Sequence, residues 1–107
     1  MKTYRPDAWA ALGDPTRRAI LGHLAERPRP VGDLARKLPV SRPAVSQHLK
    51  VLKEADLVTD ESAGTRRIYR VNPDGLTELR AQLDHFWSQT LANFKLLAEQ
   101  AIDEEDK

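Results

Sequence analysis

The chain has 107 residues, no cysteine and a net charge of +1 at pH 7. Without cysteine it can form neither a disulfide nor a thiolate metal site. Its length predicts one domain over residues 1–107, and no apolar run approaches the roughly 20 residues that a membrane-spanning helix needs. The first residues lack the apolar segment of a signal peptide, so we expect a cytoplasmic protein that does not bind membranes.

The small net charge conceals an uneven distribution along the chain. Residues 1–72 carry 14 Lys and Arg against 8 Asp and Glu, a net charge of +6. Residues 73–107 carry 3 against 8, a net charge of −5. A basic front followed by an acidic tail favours a polyanion-binding unit with an assembly segment behind it.

Two helices are predicted near the start of the chain. A short helix over residues 7–12 presents Trp9, which we expect in the core or in a dimer contact. Asp14 takes the N-cap position, directly before a proline, of a helix over residues 15–27. Arg17 lies in the first turn of that helix, where the helix dipole disfavours a cation. Contact with a DNA backbone and a solvated surface position are both open for Arg17.

The next segment predicts a helix-turn-helix over about residues 31–55. A proline-rich break precedes a brief helix over residues 31–38. A tight connection follows, and Ser41 caps a second helix that runs over residues 42–55. Two helices joined by a turn of about three to four residues are typical of this motif.

The second helix of the motif has two distinct faces. Val45, Leu49 and Leu52 form a stripe at i, i+4 and i+7 that must pack on something. The opposite face is short-chained and uncharged at its middle, which suits base edges and phosphates in a major groove. A solvated amphipathic helix is the alternative. The residues that we expect to contact DNA from this segment are Ser41, Arg42, Pro43, Ser46, Gln47 and Lys50.

Residues 57–71 change to a strand pattern. Two short β-type runs flank a turn at residues 62–65, so the segment predicts a hairpin. A hairpin that follows a helix-turn-helix is a wing, and Arg66 and Arg67 at its tip are placed for phosphates or a minor groove. An edge hairpin kept soluble by arginine is the alternative.

The last helix is predicted over about residues 73–102, with residues 103–107 frayed. Some 30 residues would span roughly 45 Å, longer than a compact domain of this size needs. An apolar helix of this length favours a two-fold dimer, and a kinked helix that folds back on a monomer is the alternative. The residues predicted at the dimer interface are Trp9, Leu83, Phe86, Trp87, Leu91 and Phe94.

The chain resembles the ArsR/SmtB family of winged helix-turn-helix repressors along nearly its whole length. The resemblance rests on the segments over residues 12–21, 34–35, 40–52 and 64–69, in this order and at this spacing. It implies a mainly α-helical winged helix-turn-helix with a small β-hairpin. It also implies a homodimer, formed through the first and last helices, that binds an inverted-repeat operator, usually near its own promoter.

The sequence departs from the family's metal sites. One such site uses a Cys-x-Cys pair in the first helix of the motif, where this chain has residues 31–37 without any thiolate. The other uses a paired Asp-x-His and His-x-x-Glu on the last helix, where Asp84 and His85 are adjacent and face about 100° apart. We therefore expect no metal and no cofactor, and assign the chain to the metal-independent branch.

These patterns predict a sequence-specific DNA-binding regulator, a dimeric autorepressor whose effector is unknown. One alternative is a repressor gated by a metal or small molecule bound near His85 and Trp87. Another is a winged-helix module for protein–protein contact. We do not expect an enzyme, because three scattered histidines without cysteine supply no nucleophile–base pair.

Overall fold

The computed structural model describes residues 7–105. The elements in chain order are α1 (Ala8–Ala11), α2 (Pro15–Glu26), β1 (Arg29–Pro30), α3 (Val31–Lys37), α4 (Arg42–Glu54), β2 (Val58–Ala63), β3 (Arg66–Val71) and α5 (Pro73–Glu105). The chain divides into two compact units, of which the first ends at Leu76 and the second begins at Thr77. That the whole chain is a single domain stays a prediction.

The observed elements agree with the predicted helices and hairpin, with one addition and one extension. The helix-turn-helix comprises α3 and α4, the wing comprises β2 and β3, and the last helix is unbroken. The prediction of frayed residues 103–107 is wrong for residues 103–105, which continue α5. Glutamate has a high helix propensity, and neither proline nor glycine occurs in residues 103–105 to end the helix. Residues 106–107 lie outside the described part.

Strand β1 is the element that the sequence did not predict. Arg29 pairs with Tyr69 of β3, so the sheet has three antiparallel strands in the order β1-β3-β2. Arg29 is buried, and its Nε donates a 3.0 Å hydrogen bond to the carbonyl oxygen of His23 while its guanidinium pairs with Glu26 at 2.7 Å. The proline beside it is tolerated because β1 lies at the sheet edge.

Short polar side chains start the two longest helices of the first unit. The carboxylate of Asp14 accepts hydrogen bonds from the backbone N–H groups of Thr16, at 2.7 Å, and of Arg17, at 3.2 Å. Partial burial raises the pKa of Asp14, but these hydrogen bonds outweigh it, so the pKa lies below its usual value. The hydroxyl oxygen of Ser41 accepts from the backbone N–H of Ala44 at 3.3 Å. Both predicted N-caps are therefore present.

The core of the first unit is built around one face of α4. This helix contacts α1, α2, α3 and β2. Its side chains Val45, Leu49 and Leu52 are fully buried. The other fully or nearly fully buried apolar side chains are Ala11, Ile20, Leu24, Leu34, Leu57 and Val58.

A close backbone approach joins the turn after α4 to the first turn of α5. Asp56 has a φ of 62°, and its carbonyl oxygen accepts a 2.9 Å hydrogen bond from Nδ2 of Asn72. A Cβ added to Gly75 would lie 1.8 Å from the same carbonyl oxygen. Only glycine fits at this position, so Gly75 allows the chain to leave the wing beside the end of α4.

Asp60 of β2 connects α4 to the wing. Its carboxylate contacts Nζ of Lys53 at 2.8 Å and the guanidinium of Arg67 at 2.7 Å, and its side chain is only 6% exposed. The hydrogen bond from Lys53 lowers the pKa of Asp60, burial raises it in part, and the hydrogen bond from Arg67 lowers it further. The net pKa lies below the usual value. One carboxylate thus ties the last turn of α4 to both strands of the wing.

The second unit consists of α5 from Thr77 onward, and it exposes large apolar side chains. The exposed ones are Leu83, Phe86, Trp87, Leu91, Phe94, Leu96, Leu97 and Ile102. Among the described residues, no helix is both long and apolar enough to cross a membrane.

Substitutions on the two faces of α4 are expected to differ sharply in their effect on stability. Leu49→Ala leaves a cavity in the core and should lower the free energy of unfolding by about 2–5 kcal/mol. Ser46→Ala, on the exposed face of the same helix, should change it by less than about 0.5 kcal/mol. Urea denaturation followed by circular dichroism measures both. Equal effects of the two substitutions would contradict the assignment of the faces.

The contribution of Asp60 to stability is expected to depend on pH. Because its pKa in the folded state is lowered, the contribution is fully present above the unfolded-state pKa of about 4 and is lost as pH falls through the folded-state pKa. The urea midpoint of the wild type should exceed that of Asp60→Asn at about pH 7, and the difference should shrink in acid. Asp103→Asn, at an exposed position, is the control and should show no such difference. A midpoint difference for Asp60→Asn that persisted to the acid unfolding limit would refute the ion-pair explanation.

Candidate nucleic-acid interface

The exposed face of α4 carries residues that the sequence predicts to contact DNA, either at base edges or at phosphates. Pro43, Ser46, Gln47 and Lys50 are all exposed and fall within an arc of about 100° on the helix. The buried stripe occupies the opposite side, so core packing fixes which face α4 presents. Pro43 and Ser46 on the exposed arc have short side chains. The hydroxyl of Ser46, the amide of Gln47 and the ammonium group of Lys50 are therefore accessible at the protein surface.

Two cations flank this polar face. Arg42, the first residue of α4, and Lys50, two turns later, are exposed. Neither forms an ion pair or side-chain hydrogen bond within residues 7–105. Both charges are therefore available to phosphate groups.

The arginines of the wing differ in how they are held. Arg66 lies at the hairpin tip, next to a turn where Gly64 has a φ of 66°, and it has no ion pair with another described residue. Arg67 donates to Asp60, and this hydrogen bond raises the pKa of its guanidinium. Arg70 pairs with Glu61 on the neighbouring strand. Of these three arginines, Arg66 at the tip is the one without an ion pair to a described residue.

Arg17 has a different environment from the other predicted DNA contacts. Its Nε donates a 2.5 Å hydrogen bond to the carbonyl oxygen of Ala11, and a second nitrogen lies 3.4 Å from the carbonyl oxygen of Ala10. A third nitrogen lies 3.4 Å from Nδ1 of His48. The side chain is 18% exposed. Arg17 therefore links the last turn of α1 to α2 and α4, and its contact with DNA stays a prediction.

One cation that the sequence analysis did not single out lies beside this surface. Arg36 of α3 lines the same cavity as Arg42, Arg66 and Arg67. Its position in the last turn of a short helix is ordinary for a cation, because the helix dipole favours positive charge there. Nothing in the local pattern distinguishes it from a solvated side chain. Only the packing of the wing near α3 identifies it.

The predicted dimer residues are exposed within their own units. Trp9 in the first unit is 42% exposed. In the second unit Phe86, Trp87 and Phe94 are each more than half exposed, and Leu83 and Leu91 are close to that value.

The described residues hold no group of three or more His, Cys, Asp and Glu side chains arranged to bind a metal ion. Asp84 lies 3.9 Å from Nε of Arg80, one turn earlier on α5, and His85 is exposed beside it.

Comparisons with known proteins agree with this geometry. A family described as a helix-turn-helix domain matches residues 12–61. The chain is 58% identical over 106 residues to the HTH-type transcriptional regulator Rv2034 of Mycobacterium tuberculosis, an alignment that covers 97% of this chain and 99% of that protein. It is 48% identical over 61 residues to the HTH-type transcriptional repressor SmtB of the same species, covering 57% of this chain and 45% of SmtB.

A solved structure extends the likeness to the fold. The chain is similar to the homodimeric winged helix-turn-helix DNA-binding domain of a possible ArsR-family regulator from Mycobacterium bovis, with a TM-score of 0.62 and 28% identity. The alignment covers 76% of this chain and 75% of that one. The predicted fold class is thereby confirmed, with a three-stranded sheet in place of a simple hairpin. The chain belongs to the ArsR/SmtB family of winged helix-turn-helix proteins, which bind DNA and regulate transcription.

Proposed function

We propose that the protein is a homodimeric repressor that places α4 of each protomer in a major groove of an inverted-repeat operator. The observation that carries this proposal is the polar face of α4, exposed because the opposite face is fully buried. Two recognition helices related by a two-fold axis would enter grooves about one helical turn, roughly 34–36 Å, apart. Occupancy of a promoter by such a dimer, including its own promoter, would exclude RNA polymerase.

Base reading falls to the middle of the exposed face. Gln47 carries an amide that pairs well with N6 and N7 of adenine, so we expect an A·T pair opposite it. Ser46 and Pro43 lie beside it and would contact neighbouring base edges. Phosphate contacts at the flanks come from Arg42 and Lys50, which have no ion-pair partner among the described residues.

The wing would contribute electrostatic affinity without sequence information. Arg66 has no ion-pair partner among the described residues. Arg67 has one, because its guanidinium pairs with the carboxylate of Asp60. The ion pair between Asp60 and Lys53 holds the wing beside the end of the recognition helix. An ordered wing loses less conformational entropy on binding than a mobile one.

Dimerisation is supported by the pattern of exposed apolar residues on α5. Residues 83, 87, 90, 94, 97 and 101 are spaced alternately four and three apart, and all but Thr90 are apolar. This spacing is the seam of a left-handed coiled coil, in which a second helix covers each apolar position. An exposed seam that includes Trp87 and Phe94 favours pairing with another copy of the chain.

Replacement of Gln47 tests the base-reading assignment. Gln47→Ala should reduce discrimination at one base pair of the operator by about 1–3 kcal/mol, because the adenine loses a bidentate partner. Fluorescence anisotropy with an operator selected from genomic fragments, and with a scrambled duplex, gives the specificity ratio at a stated salt concentration. Gln89→Ala, an amide at an exposed site on α5, is the matched control. An unchanged ratio for Gln47→Ala would show that Gln47 does not read a base.

Replacement of Phe94 tests the dimer seam. Phe94→Ala should weaken the dimer by about 2 kcal/mol or more, because it removes an aromatic side chain from the centre of the seam. Leu96→Ala is the control, since Leu96 is also exposed but lies on the opposite side of α5, about 160° away. Sedimentation equilibrium gives the dimer dissociation constant of each variant. Equal weakening by both substitutions would place the interface elsewhere.

A further inference from the structure

A cavity of about 400 Å³ lies where α3 and the start of α4 meet the tip of the wing. Four arginines line it, one from α3, one from α4 and two from β3: Arg36, Arg42, Arg66 and Arg67. Asp33 is the single carboxylate in the lining, and the remaining residues are Thr65 and residues 30–32. We refer to this site as the arginine cavity.

The positive charge of the arginine cavity exceeds what its neighbours neutralise. Arg36 pairs with Asp33, which also lies 3.9 Å from Arg27 outside the cavity. Arg67 pairs with Asp60, which is not part of the lining. Arg42 and Arg66 have no ion pair with any described residue. Converging cations repel one another unless an anion binds between them, so this arrangement is typical of a polyanion site.

The chemistry of the lining selects phosphate among anions. A guanidinium presents its N–H donors in a planar fork that matches two phosphate oxygens, and arginine is favoured over lysine where such recognition is needed. Three separate elements supply these forks, so one group could be held from several sides. The cavity volume leaves room for a phosphate together with part of its sugar.

We propose that the arginine cavity binds a phosphate of the DNA backbone next to the groove that α4 occupies. This inference rests on the proposed function, and it adds Arg36 to the DNA-contacting residues. Arg42 is both the first residue of the recognition helix and part of the lining, so a phosphate held here fixes the position of α4 along the groove. A free phosphate shares the required chemistry and is the other source to be tested.

Asp33 acts as a counter-charge within this site. Its carboxylate holds Arg36 in place in the absence of DNA and is the only negative charge in the lining. A phosphate that enters the cavity competes with this carboxylate for the same guanidinium. Removal of the Asp33 charge should therefore strengthen DNA binding, whereas removal of the Arg36 charge should weaken it. A purely structural role of the Arg36–Asp33 pair would not produce these opposite signs.

The test measures binding of the full chain to the selected operator and to a scrambled duplex over a series of salt concentrations. Arg36→Ala and Arg66→Ala should weaken binding to both duplexes by the same factor. Each phosphate contact contributes about 0.9 to the salt slope, and a substitution in the homodimer removes one contact from each protomer, so the affinity drop between about 50 and 200 mM salt should shrink by about 12-fold. Asp33→Asn should bind both duplexes more tightly. Lys95→Ala, an exposed charge on α5, should leave affinity and slope unchanged.

The outcomes separate this inference from the proposed function. If the wild type binds no duplex in a salt-dependent manner, the proposed function fails. If the wild type has a steep salt slope and Gln47→Ala loses discrimination, but Arg36→Ala retains the wild-type slope, only the arginine cavity is refuted. Calorimetry of the DNA-free protein with inorganic phosphate tests whether the cavity binds free phosphate rather than a phosphate of the DNA backbone. Phosphate binding that Arg36→Ala abolishes, together with an unchanged DNA salt slope, would overturn the assignment to the DNA backbone.

Discussion

The burial of one face of α4 is the constraint on which the rest of the first unit depends. Val45, Leu49 and Leu52 fill the space between α1, α2, α3 and β2 and leave no freedom to rotate the helix about its axis. A rotation of one residue, about 100°, would bring Ser46 into the core and expose a leucine. The polar face is thus presented to the outside by the packing on the other side. A surface that reads DNA needs this kind of fixed orientation.

Two local contacts extend this rigidity from α4 to the wing. Asp60 binds a lysine of the last turn of α4 and an arginine of β3, so the hairpin is attached to the helix by charge as well as by the backbone. At the other end of the wing, the carbonyl of Asp56 lies so close to Gly75 that no side chain fits between them. The wing is therefore held at its base, while its tip, with Arg66, remains exposed.

Exposed positive charge is concentrated in the first unit, whereas exposed apolar surface is concentrated on α5. The first unit concentrates arginines around α3, the start of α4 and the wing tip, and Arg42 and Arg66 among them have no ion pair with a described residue. Residues 77–105 are acidic overall and carry the exposed apolar seam of α5. Cations attract a polyanion at long range, whereas an apolar seam gains free energy when a matching helix covers it. The two surfaces therefore favour different partners.

Much of this architecture follows from local patterns. The spacing of leucine and valine predicts α4 and its buried face, Asp14 and Ser41 predict the helix starts, and the change from helical to alternating periodicity predicts the wing. These features depend on residues within a few positions of one another, so periodicity and capping rules are sufficient. The resemblance to the ArsR/SmtB family added the inverted-repeat operator and the expectation that the first and last helices form the dimer.

Other features depend on residues that are far apart in the chain. Arg29 belongs to a strand only because β3, some 40 residues later, offers it a partner. Arg17, predicted as a possible DNA contact, donates to a carbonyl group at the end of α1 and lies beside His48, 31 residues away. Arg36 resembles any solvated cation until the wing brings Arg66 and Arg67 to the same cavity. A short sequence window cannot reveal such contacts, because their geometry exists only after distant elements have packed together.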